Sequence, residues 1–163
     1  NQLVTLSRMD ESTDSVMREE FNLSSAVADT VSEFESLAEE RGHTLTSSVS
    51  PSVYYYGDES LIRRLTAILL DNAIKYCDAG GNIQLSLTCR RHQVLTVENT
   101  YQDVDKLELN RLFDRFYRAD KARTFSGSFG IGLSIAQSIV KSHKGNIAAY
   151  RKSGIIGFRV ELK

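Results

Sequence analysis

Asp58-Glu59-Ser60-Leu61-Ile62-Arg63-Arg64-Leu65-Thr66-Ala67-Ile68-Leu69-Leu70-Asp71-Asn72-Ala73-Ile74-Lys75-Tyr76-Cys77 carries the strongest helical pattern in the chain. Leu61, Leu65, Ile68 and Leu69 recur at helical spacing and form one apolar face. Asp58 can accept from the free N–H groups of the first turn, so it predicts the cap. Gly80-Gly81 ends the pattern. Counted at roughly 100° per residue, Asn72 falls on the stripe of Leu61, Leu65 and Ile68. An amide on a buried face costs free energy unless it finds partners. Lys75 and Tyr76 follow three and four residues later and project from the same side of the last turns. An amide oxygen, an ammonium and an aromatic face on one patch suit a metal ion, a phosphate and a nucleobase. A structural Asn with a snorkelling Lys and a boundary Tyr fits the same residues.

Before this helix, Ser24 to Arg41 predicts another, with Val27, Val31, Phe34 and Ala38 on one stripe and Gly42 as its stop. Leu3, Leu6 and Met9 also sit at helical spacing, and the stretch to Glu20 then turns polar. It reads as the end of a helix begun upstream, followed by a loop. Thr44 to Val49 and Val53 to Tyr56, separated by Pro51, read as two short strands. After the helix, Ile83 to Cys89 and Val94 to Val97 alternate as a strand pair around Arg90–Gln93. Leu107 to Tyr117 predicts a short helix. Arg118 to Phe129 is polar and Gly/Ser-punctuated and reads as a mobile loop. Ile131 to His143 predicts a third helix, with Ile135, Ile139 and Val140 apolar. Ile147 to Tyr150 and Phe158 to Leu162 predict a closing hairpin across Ser153-Gly154. Helix, strands, helix, strands, helix, strands is an α/β order. It predicts a two-layer sandwich, a mixed β-sheet packed against three main helices.

Composition sets outer bounds. At 163 residues, 41% hydrophobic and 25% charged, the chain fits one globular domain with a short tail. A formal net charge of -1 offers no electrostatic footprint for nucleic acid. Cys77 and Cys89 form no CxxC pair and predict reduced thiols. No apolar run approaches the length of a membrane span.

Two further segments suit phosphate chemistry. Gly127-Ser128-Phe129-Gly130-Ile131-Gly132-Leu133 runs directly into a helix. Glycines admit an anion close to the backbone, and a helix start offers unpaired N–H groups. The spacing is neither GxGxxG nor a Walker A loop, and a plain loop-to-helix junction accounts for it equally. In Arg111-Leu112-Phe113-Asp114-Arg115-Phe116-Tyr117-Arg118, Phe113 and Phe116 would pack inward. The interleaved arginines, Arg115 and Arg118 among them, can reach phosphate or simply form a solvated face.

Taken in order, these segments resemble the boxes of sensor histidine kinases. Leu69-Leu70-Asp71-Asn72-Ala73-Ile74-Lys75-Tyr76 resembles the N box, the Phe113 segment the F box and the Gly127 segment the G2 box. Glu20-Phe21-Asn22-Leu23 before a helix is similar to how such domains begin. The resemblance runs from about Phe21 to the end. It implies residues 1–20 as the end of an upstream helical dimerisation domain with its linker, and 21–163 as an ATP-binding catalytic domain with a mobile ATP lid between Arg118 and Phe129. It implies ATP and Mg2+ as ligands. Asn72 would hold Mg2+, Lys75 would touch phosphate and Tyr76 would lie against adenine. Gly127, Gly130, Gly132 and the helix start through Leu133 would cradle phosphates, with Arg115 and Arg118 nearby.

The chain departs from that pattern in places. The position one turn before Asn72, often a second Asn, is Ile68. The G1 box should lie at Val97-Glu98-Asn99-Thr100-Tyr101-Gln102-Asp103, with Asn99 in place of its Asp and Tyr101 and Asp103 in place of its glycines. Ser128 stands where G2 usually has another glycine. No H box is present, since His43, His92 and His143 lack its context, the single proline being Pro51. Ordinary surface roles are expected for all three. The resemblance therefore implies transfer of the γ-phosphoryl group of ATP to a histidine upstream of Asn1, with the isolated domain monomeric and silent in autophosphorylation. It further implies a homodimeric, membrane-anchored parent with this domain in the cytoplasm, and a response regulator as partner. The alternative is a degenerate kinase-like module that binds nucleotide weakly and acts through protein contacts. A different ATPase of the same superfamily is disfavoured by the F box.

Overall fold

The computed structural model describes residues 16–114 and 128–163. The expected upstream helix end at Leu3–Met9, the lid from Arg118 onward and the candidate residues Arg115, Arg118 and Gly127 lie outside the described residues.

Five strands form one mixed sheet in the order β2-β4-β5-β7-β6. They are β2 (Thr44–Val49), β4 (Asn82–Cys89), β5 (Gln93–Thr100), β6 (Asn146–Lys152) and β7 (Ile155–Leu162). β2 runs parallel to β4, and every other pairing in the sheet is antiparallel. A parallel neighbour needs a crossover, which the second helix supplies. Three helices cover the sheet: α1 (Leu23–Glu40), α2 (Glu59–Tyr76) and α3 (Ser128–Ser142). α2 lies between α1 and α3 and packs over β5, the central strand. Sequence alternation explains the layering. Ile83, Leu85 and Leu87 of β4 and Leu95 and Val97 of β5 all point into the core, while Gln84 and Glu98 point away.

α1 and α2 each start where the sequence supplies an acceptor. Asn22 Oδ1 accepts from the Ser25 N–H at 3.0 Å, and Asp58 Oδ1 accepts from the Leu61 N–H at 3.1 Å. α1 stops at Gly42, which takes φ 78°.

Several expectations need correction. Glu19 and Glu20 are not loop: they open β1 (Glu19–Asn22), which pairs antiparallel with β3 (Tyr54–Gly57) in a separate two-stranded sheet. Over its described residues, 107–114, the segment from Leu107 is not an α-helix. Short 3-10 turns occupy Gln102–Lys106 and Leu109–Arg111, because Val104, Leu107 and Leu112 bury themselves one at a time. Ser128 and Phe129 belong to α3 rather than to the preceding loop. On α2 the inward face is centred on Ile62, Leu65 and Leu69, and Leu61 and Ile68 are only partly buried.

His143 is the largest surprise. It is not on the surface but 2% exposed, just past the end of α3. Its Nδ1 lies 2.9 Å from the Ile139 carbonyl, which can only accept, so Nδ1 carries the proton. Its Nε2 therefore accepts from the Asp58 N–H at 3.1 Å. The imidazole ties the end of α3 to the start of α2. Gly57 makes room for it, since a Cβ there would stand 2.9 Å from His143 Cδ2 and 2.4 Å from the Tyr55 ring.

Candidate functional site

At the far end of α2, helix and sheet part to leave a small pocket, half open to solvent. Asn72 and Tyr76 from α2 line one side, and Asn99 and Tyr101 from the end of β5 line another. Ile156 and Phe158 of β7 and Leu107 and Leu112 of the 3-10 region close it with hydrocarbon. The register explains the grouping: Asn99 pairs with Ile83 on one side and Ile156 on the other. A largely apolar pocket with a few amides suits a heterocycle.

Asn72 is 8% exposed, and its Oδ1 is buried without a hydrogen-bond partner. Buried acceptors in native structures are normally paired, so an orphan aimed at a pocket points to a ligand. Asn99 is 2% exposed and donates from Nδ2 to the Thr100 carbonyl at 3.1 Å. That bond fixes which end of the amide is spoken for. Lys75 Nζ pairs with Asp71 Oδ2 at 3.1 Å on the helix surface.

The backbone around Tyr101 is tightly held. The Asp78 N–H donates to the Thr100 carbonyl at 3.0 Å, and the Tyr101 N–H donates to the Gly154 carbonyl at 2.9 Å. Asp78 Oδ2 accepts from the Gln102 N–H at 2.7 Å. Neither Tyr101, at φ -154°, nor Asp103, at φ -86°, needs the left-handed conformation that glycines would allow.

Among the described residues, none of α3 lines the pocket; the helix packs beside α2. Gly130 lies in the first turn of α3, while Gly132 and Leu133 already lie in the second. Leu133 is 1% exposed and belongs to the core. Among the described residues, a Cβ at Gly132 would meet only Ile68 Cγ2, at an ordinary 3.7 Å. Packing among the described residues therefore does not require glycine there. Ile68 fills the place of a second amide with hydrocarbon. Ser134 Oγ donates to the Phe113 carbonyl at 2.9 Å, and the Phe113 ring stands edge-on to Phe158 at 5.9 Å. The Phe113 segment is thus anchored to both α3 and the pocket wall. Behind the site, burial pushes the Cys77 thiol pKa up, and its Sγ contacts the Asn82 carbonyl at 3.8 Å.

Sequence reasoning placed Asn72, Tyr76 and Asn99 together. It missed Asp78 as a bracket, whose only signal is a carboxylate just past a helix end. It also missed Ile156 and Phe158 as walls, which no local pattern marks.

Residues 57–163 match the family model described as histidine kinase-, DNA gyrase B- and HSP90-like ATPase. The chain belongs to this ATPase family. It is 39% identical over 161 residues to the sensor protein DltS of Streptococcus agalactiae, a match covering 98% of this chain and 41% of that protein. It is 38% identical over 125 residues to the signal transduction histidine-protein kinase BaeS of Escherichia coli, covering 75% of this chain and 27% of BaeS. The chain thus spans well under half the length of these relatives. Among solved structures, the histidine kinase AdeS of Acinetobacter baumannii superposes with TM-score 0.80 at 21% identity, over 99% of this chain and 75% of AdeS. Full-length ShkA in complex with AMPPNP superposes with TM-score 0.82 at 18% identity, over 99% of this chain and 34% of ShkA. At those identities the superpositions speak for the fold of this ATPase. No described helix is long and apolar enough to cross a membrane.

Proposed function

We propose that this ATPase domain binds Mg-ATP between α2, β5 and the start of α3, and serves the transfer of the γ-phosphoryl group to a histidine on a helical dimerisation domain. Residues 1–20 would end that domain and its linker, and 21–163 would be the catalytic unit. A response regulator would receive the phosphoryl group. The parent would be a membrane-anchored homodimer with this domain on the cytoplasmic side.

The observation that carries this reading is the orphaned Asn72 Oδ1 at the pocket. A neutral, hard oxygen with no protein donor competing for it fits Mg2+, which takes few protein ligands and completes its shell with phosphate oxygens and water. Asn72 would hold the ion, and Ile68 adds no second donor. What the ion supplies when bound is neutralisation of phosphate charge. The remaining work falls to positioning. Tyr76, Ile156 and Phe158 hold the base, and Asn99 accepts from its amino group. Gly130 and Gly132 leave the backbone bare where phosphates approach. Lys75 lies one turn on from Asn72. Arg115 and Arg118 would add charge at the lid. His143 is excluded as acceptor, since both ring nitrogens are engaged in the core.

The second reading, a weak-nucleotide regulatory module, draws on two features: a neutral Asn99 at the base and the Lys75–Asp71 pairing. Calorimetry with ATP, with and without Mg2+, separates the readings. The kinase reading expects binding in the micromolar to millimolar range, adenine preferred over guanine, and labelling by radioactive ATP only when the upstream helical domain is added. No binding at millimolar ATP overturns it in favour of the regulatory module.

A further inference from the structure

We infer that Tyr101 sets a size limit on the base: the pocket takes a purine nucleotide whose 6-amino group is unsubstituted and rejects N6-substituted ones. This rests on the nucleotide reading above and deepens it. Strand alternation puts Asn99 and Tyr101 on the same face, about 7 Å apart along an extended backbone. Both line the pocket, at 2% and 8% exposure. Asn99 Nδ2 is committed to the Thr100 carbonyl, so the base's amino group meets Oδ1. A substituent on that nitrogen must share space with the pocket-lining neighbours of Asn99, which are Ile156 across the ladder and Tyr101 along the strand. Tyr101 is the larger of the two.

Tyr101 is also the less able to yield. The backbone on both sides of it is pinned: Thr100 by the Asp78 N–H, Tyr101 itself by the Gly154 carbonyl, and Gln102 by the Asp78 carboxylate. A buried ring on a backbone held at three successive residues is a wall, not a flap. Asp78 and the β6–β7 turn therefore act as positioning elements for a selectivity residue.

The test is calorimetry of the domain with Mg-ATP and with N6-benzyl-ATP, for the native chain, Tyr101→Ala and Tyr101→Phe. The native chain should bind ATP and disfavour the benzyl analogue by about tenfold or more. Tyr101→Ala should erase or invert that preference, and Tyr101→Phe, which keeps the ring, should preserve it. If Tyr101→Ala does not fold, Tyr101→Leu opens the same space with an apolar side chain. A gain of binding to the bulkier analogue cannot come from unfolding. Equal binding of both nucleotides by the native chain overturns the inference alone. So does unchanged discrimination in a smaller variant that still binds ATP. Failure of the native chain to bind ATP overturns the nucleotide reading and this inference with it.

Discussion

At the start of α2, Asp58 caps the helix through Oδ1, accepts from the Met17 N–H through Oδ2, and gives its own N–H to His143. At the end of the same helix, Asn72 is buried at the edge of the core and its oxygen meets nothing. Both ends of this rod carry polar groups set against the core, Asp58 half-buried against the buried His143 and Asn72 itself buried. At one end the groups satisfy each other, which is what a joint requires. At the other they are left open, which costs stability unless a ligand completes them. Burial alone does not separate structural from functional polar residues; the state of their hydrogen bonds does.

The sharpest way to break the comparison is at the joint. His143→Ala removes the acceptor of the Asp58 N–H and leaves a void beside Tyr55 and Gly57. Its expected cost is about 2–4 kcal/mol, measured by denaturant unfolding. A variant as stable as the native chain would show that the imidazole is not holding the two helices together.

The same joint should respond to acid. Burial, with some help from Arg18, holds the His143 pKa below its ordinary 6.5, against the pull of the Ile139 carbonyl and Asp58. The ring is neutral in the fold, so just below 6.5 the unfolded chain binds more protons than the folded one. Its contribution is complete above the unfolded pKa and is lost as pH falls toward the folded one. Melting temperatures taken from about pH 7.5 down to 5.5 should therefore drop, and His143→Gln should flatten that slope. Equal slopes in the two proteins would assign the acid sensitivity to other groups.

At the open end the effects shift from stability to binding. Asn99→Asp gives the base a charged acceptor, which should tighten ATP by about 1 kcal/mol, a fivefold to tenfold gain. It also removes the amide that serves the Thr100 carbonyl, so the unliganded domain should become less stable. Calorimetry paired with melts reads both, and tightening without destabilisation would deny the Asn99–Thr100 bond its role. The smallest stability change belongs to Asn72→Ala. Removing an unpaired acceptor should move unfolding by about 0.5 kcal/mol or less while abolishing the Mg2+ dependence of nucleotide binding. A large loss of stability with Mg2+ dependence intact would make Asn72 structural.

The fold was legible where periodicity was long. α1, α2 and the β4–β5 and β6–β7 pairs fall close to where alternation and caps put them. β1 was missed because four residues in an edge ladder, two of them glutamates, show no pattern against a polar tail. His143 was misread because its partners are a backbone N–H far along the chain and a helix carbonyl, and neither leaves a mark on the sequence around it. At the pocket, Asn72 and Tyr76 were legible because one helix turn carries them, and Asn99 through the family resemblance. Its apolar walls were not, since they come from the last strand and from irregular turns.

The strand order also sets a timetable for assembly. β4 with β5, and β6 with β7, are neighbours in sequence and can zip as local hairpins. The β5–β7 seam joins those hairpins across the whole of α3 and must await a far larger loop closure. Asn99 and Tyr101 stand on one side of that seam, with Ile156 and Phe158 on the other. The pocket therefore comes into being only when the seam closes. Nucleotide cannot template the earlier steps, and its binding during refolding is a clock that starts at the last one.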